Sequence, residues 1–279
     1  MKLKQKLAIR YISSKLKLIS VVSKKRAAEK AFDLFSSPVS RSRKQSALFD
    51  KVERLPMQVD DIPVMAYRWN KGGSKKVLVL HGFQSASKNF DHFIQLLINK
   101  GYEVLAVDAP AHGESGGDRI LLPLYVKTIE AAYSQFGPIQ NFVAHSFGGL
   151  AITHFLEKIE HGDDYKVALI APATETSSAI DLFFAMLDLK DSFRKEFEDI
   201  IIEKGGKHSS EYSIARAVKK IKAKILWIHD AEDDVTPYSD VVPVINANHD
   251  HIQFITTKGL GHRKIYHDEK VVKAVIDFL

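Results

Sequence analysis

From Val77 onward short apolar runs alternate with helical patterns, and no other feature narrows the possible folds of this chain so far. Residues 77–80, 103–107, 139–144 and 167–170 read as buried strands. Between them, residues 90–99, 122–136 and 147–160 carry apolar side chains at helical spacing. Strands apolar on both faces need helices on both sides of the sheet. The pattern therefore predicts an α/β fold with a mostly parallel sheet, and a functional site at the carboxyl ends of the strands. Ahead of it, residues 56–69 read as an opening hairpin with Asp60-Asp61 at its turn.

One strand-to-helix junction stands out: Ala144-His145-Ser146-Phe147-Gly148-Gly149. Small residues two before and two after a serine permit a turn so tight that the serine hydroxyl is pushed outward. His145 is expected to point away from Ser146, because neighbouring side chains diverge at such a turn. A serine there can also simply cap the following helix. As a nucleophile, Ser146 needs a histidine to take its proton and a carboxylate to hold that histidine.

Candidates for both lie downstream. Residues 224–229 read as a strand that runs into the acidic turn 230–237, where Pro237 is expected to start a helix with Thr236 as its N-cap. Residues 251–256 read as another strand, followed by Gly259-Leu260-Gly261-His262. His262, in a glycine-punctuated loop after the last strand, is the candidate base. Asp230, Asp233 and Asp234 compete for the orienting role. After the strand at 77–80 comes His81-Gly82-Phe83-Gln84. Alone it is an ordinary strand-ending turn, but beside Ser146 its backbone could stabilise a developing oxyanion. Phe83 and Phe147 are the candidate N–H donors, each such donor being worth about 3 kcal/mol. His249-Asp250-His251 lacks a further clustered ligand and reads as a polar strand start, and no metal site is expected.

Four blocks in order resemble the α/β-hydrolase superfamily, over about residues 59–279. They are Leu80-His81-Gly82-Phe83, Asp108-Ala109-Pro110-Ala111-His112-Gly113-Glu114-Ser115, the hexapeptide around Ser146, and Asp233 with His262. Gly117-Asp118-Arg119 adds a similarity to the monoacylglycerol-lipase and serine-aminopeptidase-like branch. The resemblance implies an eight-stranded, mostly parallel sheet with a small helical cap. It implies a triad of Ser146, Asp233 and His262, since the family's aspartate usually stands where Asp233 stands before Pro237. It also implies a structural role for the block at Asp108, and hydrolysis of a carboxylic ester through an acyl-enzyme without a cofactor. Serine at the turn, where related dehalogenases and epoxide hydrolases carry aspartate, favours acyl over alkyl transfer. The same machinery would serve a thioesterase, amidase or peptidase, and the fold can also act as a catalytically silent ligand-binding or signalling module.

The domain reading is a basic arm and linker at 1–54, core at 55–173, a helical cap insertion at 174–220, and core again at 221–279. Residues 177–202 read as helical, and Phe183, Phe184 and Leu187 are candidate pocket residues for a partly apolar small-molecule acyl substrate. Of 279 residues none is cysteine, which excludes disulfides and thiolate chemistry and fits a reducing compartment, here taken as cytoplasmic. The net charge of +6 is unevenly spread. Residues 1–54 hold 15 Lys and Arg against four Asp and Glu, a net of +11, and the rest is at −5. The mildly acidic body gives no reason to expect nucleic acid.

In the arm, Lys2, Lys6, Arg10, Ser13, Lys17, Ser20 and Lys24 step by three and four, forming a polar stripe on a helix. Leu3, Leu7, Tyr11, Leu18 and Val22 fall on another face. Such a helix either packs its apolar side on the body or lies on an anionic membrane through residues 1–37. Charges interrupt the apolar stretch, so neither a secretory signal nor a membrane span is expected.

Overall fold

In the computed structural model, which describes residues 3–42 and 44–279, the alternating segments form one eight-stranded sheet. Its strands are β1 (Glu53–Val59), β2 (Ile62–Trp69), β3 (Lys76–Leu80), β4 (Glu103–Val107), β5 (Asn141–His145), β6 (Lys166–Ile170), β7 (Lys224–Asp230) and β8 (Ile252–Thr257). They lie in the order β1-β2-β4-β3-β5-β6-β7-β8. The β1–β2 hairpin and the β2–β4 pair are antiparallel, and every other neighbouring pair is parallel. The hairpin turns at Asp60-Asp61, with Asp60 at φ +49°.

The helices are α1 (Leu3–Val22), α2 (Lys24–Ser36), α3 (Asp91–Asn99), α4 (Leu122–Phe136), α5 (Phe147–Leu156), α6 (Thr176–Met186), α7 (Arg194–Gly205), α8 (Ile214–Ala217), α9 (Val242–Asn246), α10 (Gly261–Lys264) and α11 (Glu269–Phe278). Strand residues alternate between two cores, as the two-residue repeat of a strand requires. Leu78, Leu80, Phe142 and Leu169 join Ile129 of α4 and Phe155 of α5 in one. Val77, Val79, Val143 and Ala168 join Phe93 of α3 and Val275 of α11 in the other. Helices thus cover both faces, and the central strands are buried throughout.

Three local expectations change. The helical stretch at 177–202 is two helices, α6 and α7, parted around Asp188, whose φ of +48° no right-handed helix accommodates. Pro237 precedes only a short 3-10 turn, Tyr238–Asp240, and the Thr236 hydroxyl bonds Asp233 rather than capping a helix. The stretch before β1, read as a polar linker, carries Phe49, which is 1% exposed. Its ring meets Tyr67 and Trp69 edge-on at 5.0 and 4.9 Å, and the Trp69 indole N–H donates to the Leu48 carbonyl at 3.0 Å.

The arm is docked on the segment between β6 and β7. Phe35 of α2 meets Phe183 at 5.3 Å and Phe197 at 5.8 Å, and Phe32 meets Phe197 at 6.0 Å, all edge to face. The expected polar stripe of α1 is only partly a solvent face, because Ser13 is buried and Lys17 reaches Asp188. Lys2 and the Leu3 side chain lie outside the described residues. Among the described residues no helix is long and apolar enough to cross a membrane.

Phe49→Ala removes a ring enclosed by two others, and a buried Phe→Ala change costs about 3–5 kcal/mol. Urea denaturation is expected to show that loss. A change below about 1 kcal/mol would mean that the stretch before β1 does not anchor the hairpin.

Candidate active site

The turn at Ser146 is set by what its neighbours cannot carry. A side chain on Gly148 would place its Cβ 2.7 Å from the His81 carbonyl and 2.8 Å from that of Leu80, so α5 can start against β3 only with glycine there. Ser146 itself is held at φ +55°, a conformation non-glycine residues rarely adopt. Hydrogen bonds fix it: its N–H donates to the Ile170 carbonyl at 3.1 Å, and its carbonyl accepts from the Gly149 and Ala173 N–H groups at 2.9 and 3.0 Å. Ala144, where glycine is usual, is fully buried between β3 and β6 and fits without conflict.

Three distant side chains meet at this turn. The Ser146 hydroxyl lies 3.0 Å from His262 Nε2, and His262 Nδ1 lies 2.9 Å from Asp233 Oδ2. With Nδ1–H donating to the carboxylate, Nε2 is left to accept from the serine. Asp233 also accepts from the Val235 and Thr236 N–H groups, both at 2.8 Å, and from the Thr236 hydroxyl at 2.9 Å. Burial pushes its pKa up, but His262 and these N–H groups outweigh that and bring it down to about 2.

The other two acids are elsewhere. Asp234 is exposed. Asp230 ends β7 and accepts from the Thr257 hydroxyl at 2.8 Å and the Leu260 N–H at 3.0 Å. It therefore pins the loop that carries His262, two residues before that histidine, without touching the ring.

The candidate oxyanion donors flank the same hydroxyl. A Cβ on Gly82 would fall 2.7 Å from Ser146 Cβ and 3.2 Å from its Oγ, so the loop backbone passes directly beside the serine. Among the described residues, the Phe83 and Phe147 N–H groups have no hydrogen-bond acceptor. The Phe147 N–H also stands at the first turn of α5, where helical N–H groups are unpaired and the dipole favours negative charge.

The residues of the His81 and Asp108 blocks hold the loops around the site, and the bonds they make lie beyond what the sequence could show. His112 accepts from the Gln84 N–H at 3.0 Å and donates to the Pro110 carbonyl at 2.9 Å, holding the loop just past Phe83. His81 accepts from the Ala109 N–H at 2.9 Å and donates to the Gly82 carbonyl at 2.7 Å. Asp108 gathers the Ser87 and Glu114 N–H groups and the Tyr67 hydroxyl, all within 2.9 Å. His145 makes no hydrogen bond to Ser146, but it does not leave the site. Its Nε2–H donates to the His262 carbonyl at 3.0 Å, and the two rings lie 4.7 Å apart. Only adjacency to Ser146 could have drawn attention to it.

Of the expected pocket residues, Phe184 and Leu187 are 4% and 2% exposed. Phe184 packs against Phe193 and Phe197, inside the helical segment. Phe183 is half-buried. None of the three is brought into hydrogen-bonding or ring contact with Ser146, Asp233 or His262. Phe183 meets Phe35 of α2, a partner that periodicity within 177–202 could not reveal.

The family profile described as "Serine aminopeptidase, S33" matches residues 73–212. No curated protein matches the sequence. Among solved structures, the esterase Pf2001 of Pyrococcus furiosus aligns with a TM-score of 0.67 at 18% identity, over 87% of this chain and 98% of its own. Est1E of Butyrivibrio proteoclasticus, solved with ferulic acid, gives 0.64 at 19% identity, over 80% and 97%. A monoacylglycerol lipase of Paleococcus ferrophilus gives 0.57 at 20%, over 77% and 99%. At these identities the likeness is one of fold.

Burial lowers the pKa of four histidines around the site, to about 3 for His145 and about 4 for His112, and in the same direction for His81 and His229. Unfolded, each takes up a proton near pH 6.5, whereas folded its uptake is shifted to lower pH. Their contribution to stability is present above that pH and is lost as the pH falls. The expected slope is up to about 1.4 kcal/mol per pH unit for each histidine. Chemical denaturation at pH 7 and pH 5 checks this, and equal stability at the two would contradict it.

Proposed function

The chain belongs to the serine aminopeptidase S33 family of hydrolases, and on that premise we propose that it cleaves carboxylic esters through an acyl-enzyme. The observation that carries this reading is the 3.0 Å approach of His262 Nε2 to the Ser146 hydroxyl, with Asp233 on the other ring nitrogen. Ser146 Oγ attacks the substrate carbonyl carbon while its proton passes to His262 Nε2. The carbonyl oxygen becomes an oxyanion, facing the N–H groups of Phe83 and Phe147. His262 then gives its proton to the leaving alcohol as the carbon–oxygen bond breaks. Water attacks the acyl-Ser146 ester, His262 takes its proton, and collapse returns the proton to Ser146 and frees the acid. Asp233, with its pKa near 2, stays ionised and keeps the Nδ1 proton in place throughout.

Esters are preferred to amides as substrates on two grounds. Two fold neighbours bear the names esterase and monoacylglycerol lipase. The segment at 174–220 is also rich in large apolar side chains, and we assign it the part of a cap that excludes water. It leaves the sheet at β6, where the Ala173 N–H is tied to the Ser146 carbonyl. Of the three candidate pocket residues, Phe183 keeps the most surface for a ligand.

A fluorophosphonate probe followed by peptide mapping is expected to label Ser146, and Ser146→Ala to lower turnover by at least about ten-thousandfold. Labelling elsewhere, or a loss below about tenfold, overturns the assignment. Asp233→Asn is expected to cost about ten-thousandfold in kcat by favouring the wrong imidazole tautomer. Asp230→Asn, which loosens only the loop, should cost far less, and the reverse order would move the orienting role to Asp230. In a panel of esters, thioesters and aminoacyl amides, esters should give the highest kcat/KM. Amides at the top would make the protein a peptidase.

A further inference from the structure

Helix α1 is apolar on two sides, and the fold covers only one of them. Ile9, Ile12 and Leu16 pack inward, with Leu16 2% exposed. On the opposite side Leu7, Tyr11, Leu18, Val21 and Val22 are 56%, 69%, 71%, 85% and 82% exposed. At about 100° per residue these five fall within an arc of roughly 100°, a stripe along the helix that exposed Ser14 interrupts. Exposed Arg10 and Lys15 border it, one on each side. A soluble body normally turns such a stripe inward, and an exposed one marks a surface that meets something apolar.

The charge identifies the occupant. The arm at 1–54 carries a net +11 while the rest of the chain is at −5. Of the arm's cations, Lys6, Arg10 and Lys15 stand exposed on α1 near the stripe, whereas Lys17, Lys44 and Arg54 pair with the body. A second copy would bring two +11 arms together, which opposes self-association. A single convex helix with apolar residues at its crest and cations on its flanks matches a surface that is apolar below and anionic on top. We propose that α1 docks the protein on an anionic phospholipid bilayer. Leu7, Tyr11, Leu18, Val21 and Val22 enter the acyl boundary, and Lys6, Arg10 and Lys15 meet the headgroups. The inward face stays on the body, so docking needs no unfolding of the arm.

The test is co-sedimentation of the full chain with phosphatidylcholine vesicles and with phosphatidylcholine–phosphatidylserine vesicles. Binding is expected to the second alone, with release as salt is raised. Lys6→Gln/Arg10→Gln/Lys15→Gln should weaken it by about fivefold per charge. Leu18→Ser/Val22→Ser should weaken it by more than about tenfold. These positions are exposed, so both variants should keep the wild-type Tm, which separates lost binding from lost folding. Failure of the wild type to bind the anionic vesicles overturns the proposal, as does equal binding by the Leu18→Ser/Val22→Ser protein. A concentration-dependent dimer abolished by that variant also overturns it, by assigning the face to a second copy. Ser146→Ala should bind vesicles like the wild type, so this outcome is independent of the chemistry at Ser146.

Discussion

The first turn of α5 rests directly on the carbonyl end of β3, and the geometry at Ser146 follows from that contact. Gly148 lies so close to the Leu80 and His81 carbonyls that no side chain fits between helix and strand. To bring α5 in at that distance the chain must turn sharply at Ser146, which takes up a positive φ. Such a conformation costs on the order of 1–3 kcal/mol, and it persists only where the surroundings over-determine it. Here they do: β5 is buried between β3 and β6, and both the N–H and the carbonyl of Ser146 are committed. The same contact turns the hydroxyl outward and brings it beside Gly82.

Around that turn, buried polar groups are held in defined charge states by backbone partners. His81 and His112 each accept one backbone N–H and donate to one carbonyl, which requires the neutral ring. Asp233 accepts two N–H groups and a hydroxyl as well as His262, which favours the carboxylate. A buried polar group without such partners would be costly, so this network also makes the site rigid. On the proposed mechanism, rigidity keeps His262 in line with Ser146 while charge moves between them. His145 and Asp230 contribute through the backbone of the His262 loop, one at the carbonyl of 262 and one at the N–H of 260.

The arm attaches to a part of the chain far from it in sequence. Phe32 and Phe35 of α2 share an aromatic cluster with Phe183 and Phe197. This cluster consumes much of the apolar surface that the segment at 174–220 would otherwise offer to a ligand. It also holds α1 at the edge of the molecule with its outward stripe free. Packing and charge act together here: the body pairs Lys17, Lys44 and Arg54 of the arm with Asp188, Asp91 and Glu114, while Arg10 and Lys15 beside the stripe stay exposed.

Periodicity placed most strands and helices and called for a mostly parallel sheet, whereas the strand order came from the fold. Strand β4 and helix α4 fall where residues 103–107 and 122–136 place them, because a two-residue or 3.6-residue repeat is a local property. The small residues around Ser146 likewise announced a tight strand-to-helix turn, since the steric demand lies within a few positions. What sequence left open was decided by contacts between residues far apart. Composition alone does not separate Asp230, Asp233 and Asp234; the family resemblance favours Asp233, and the contacts of Asp233 with His262 and of Asp230 with its loop are made only in the fold. Likewise, His145 meets a carbonyl 117 positions away. A helical repeat shows that α1 has apolar faces, but which of them is covered depends on where α2 and the body stand. Local patterns state what a segment must bury or bend, whereas its partner is fixed only when the whole chain closes around it.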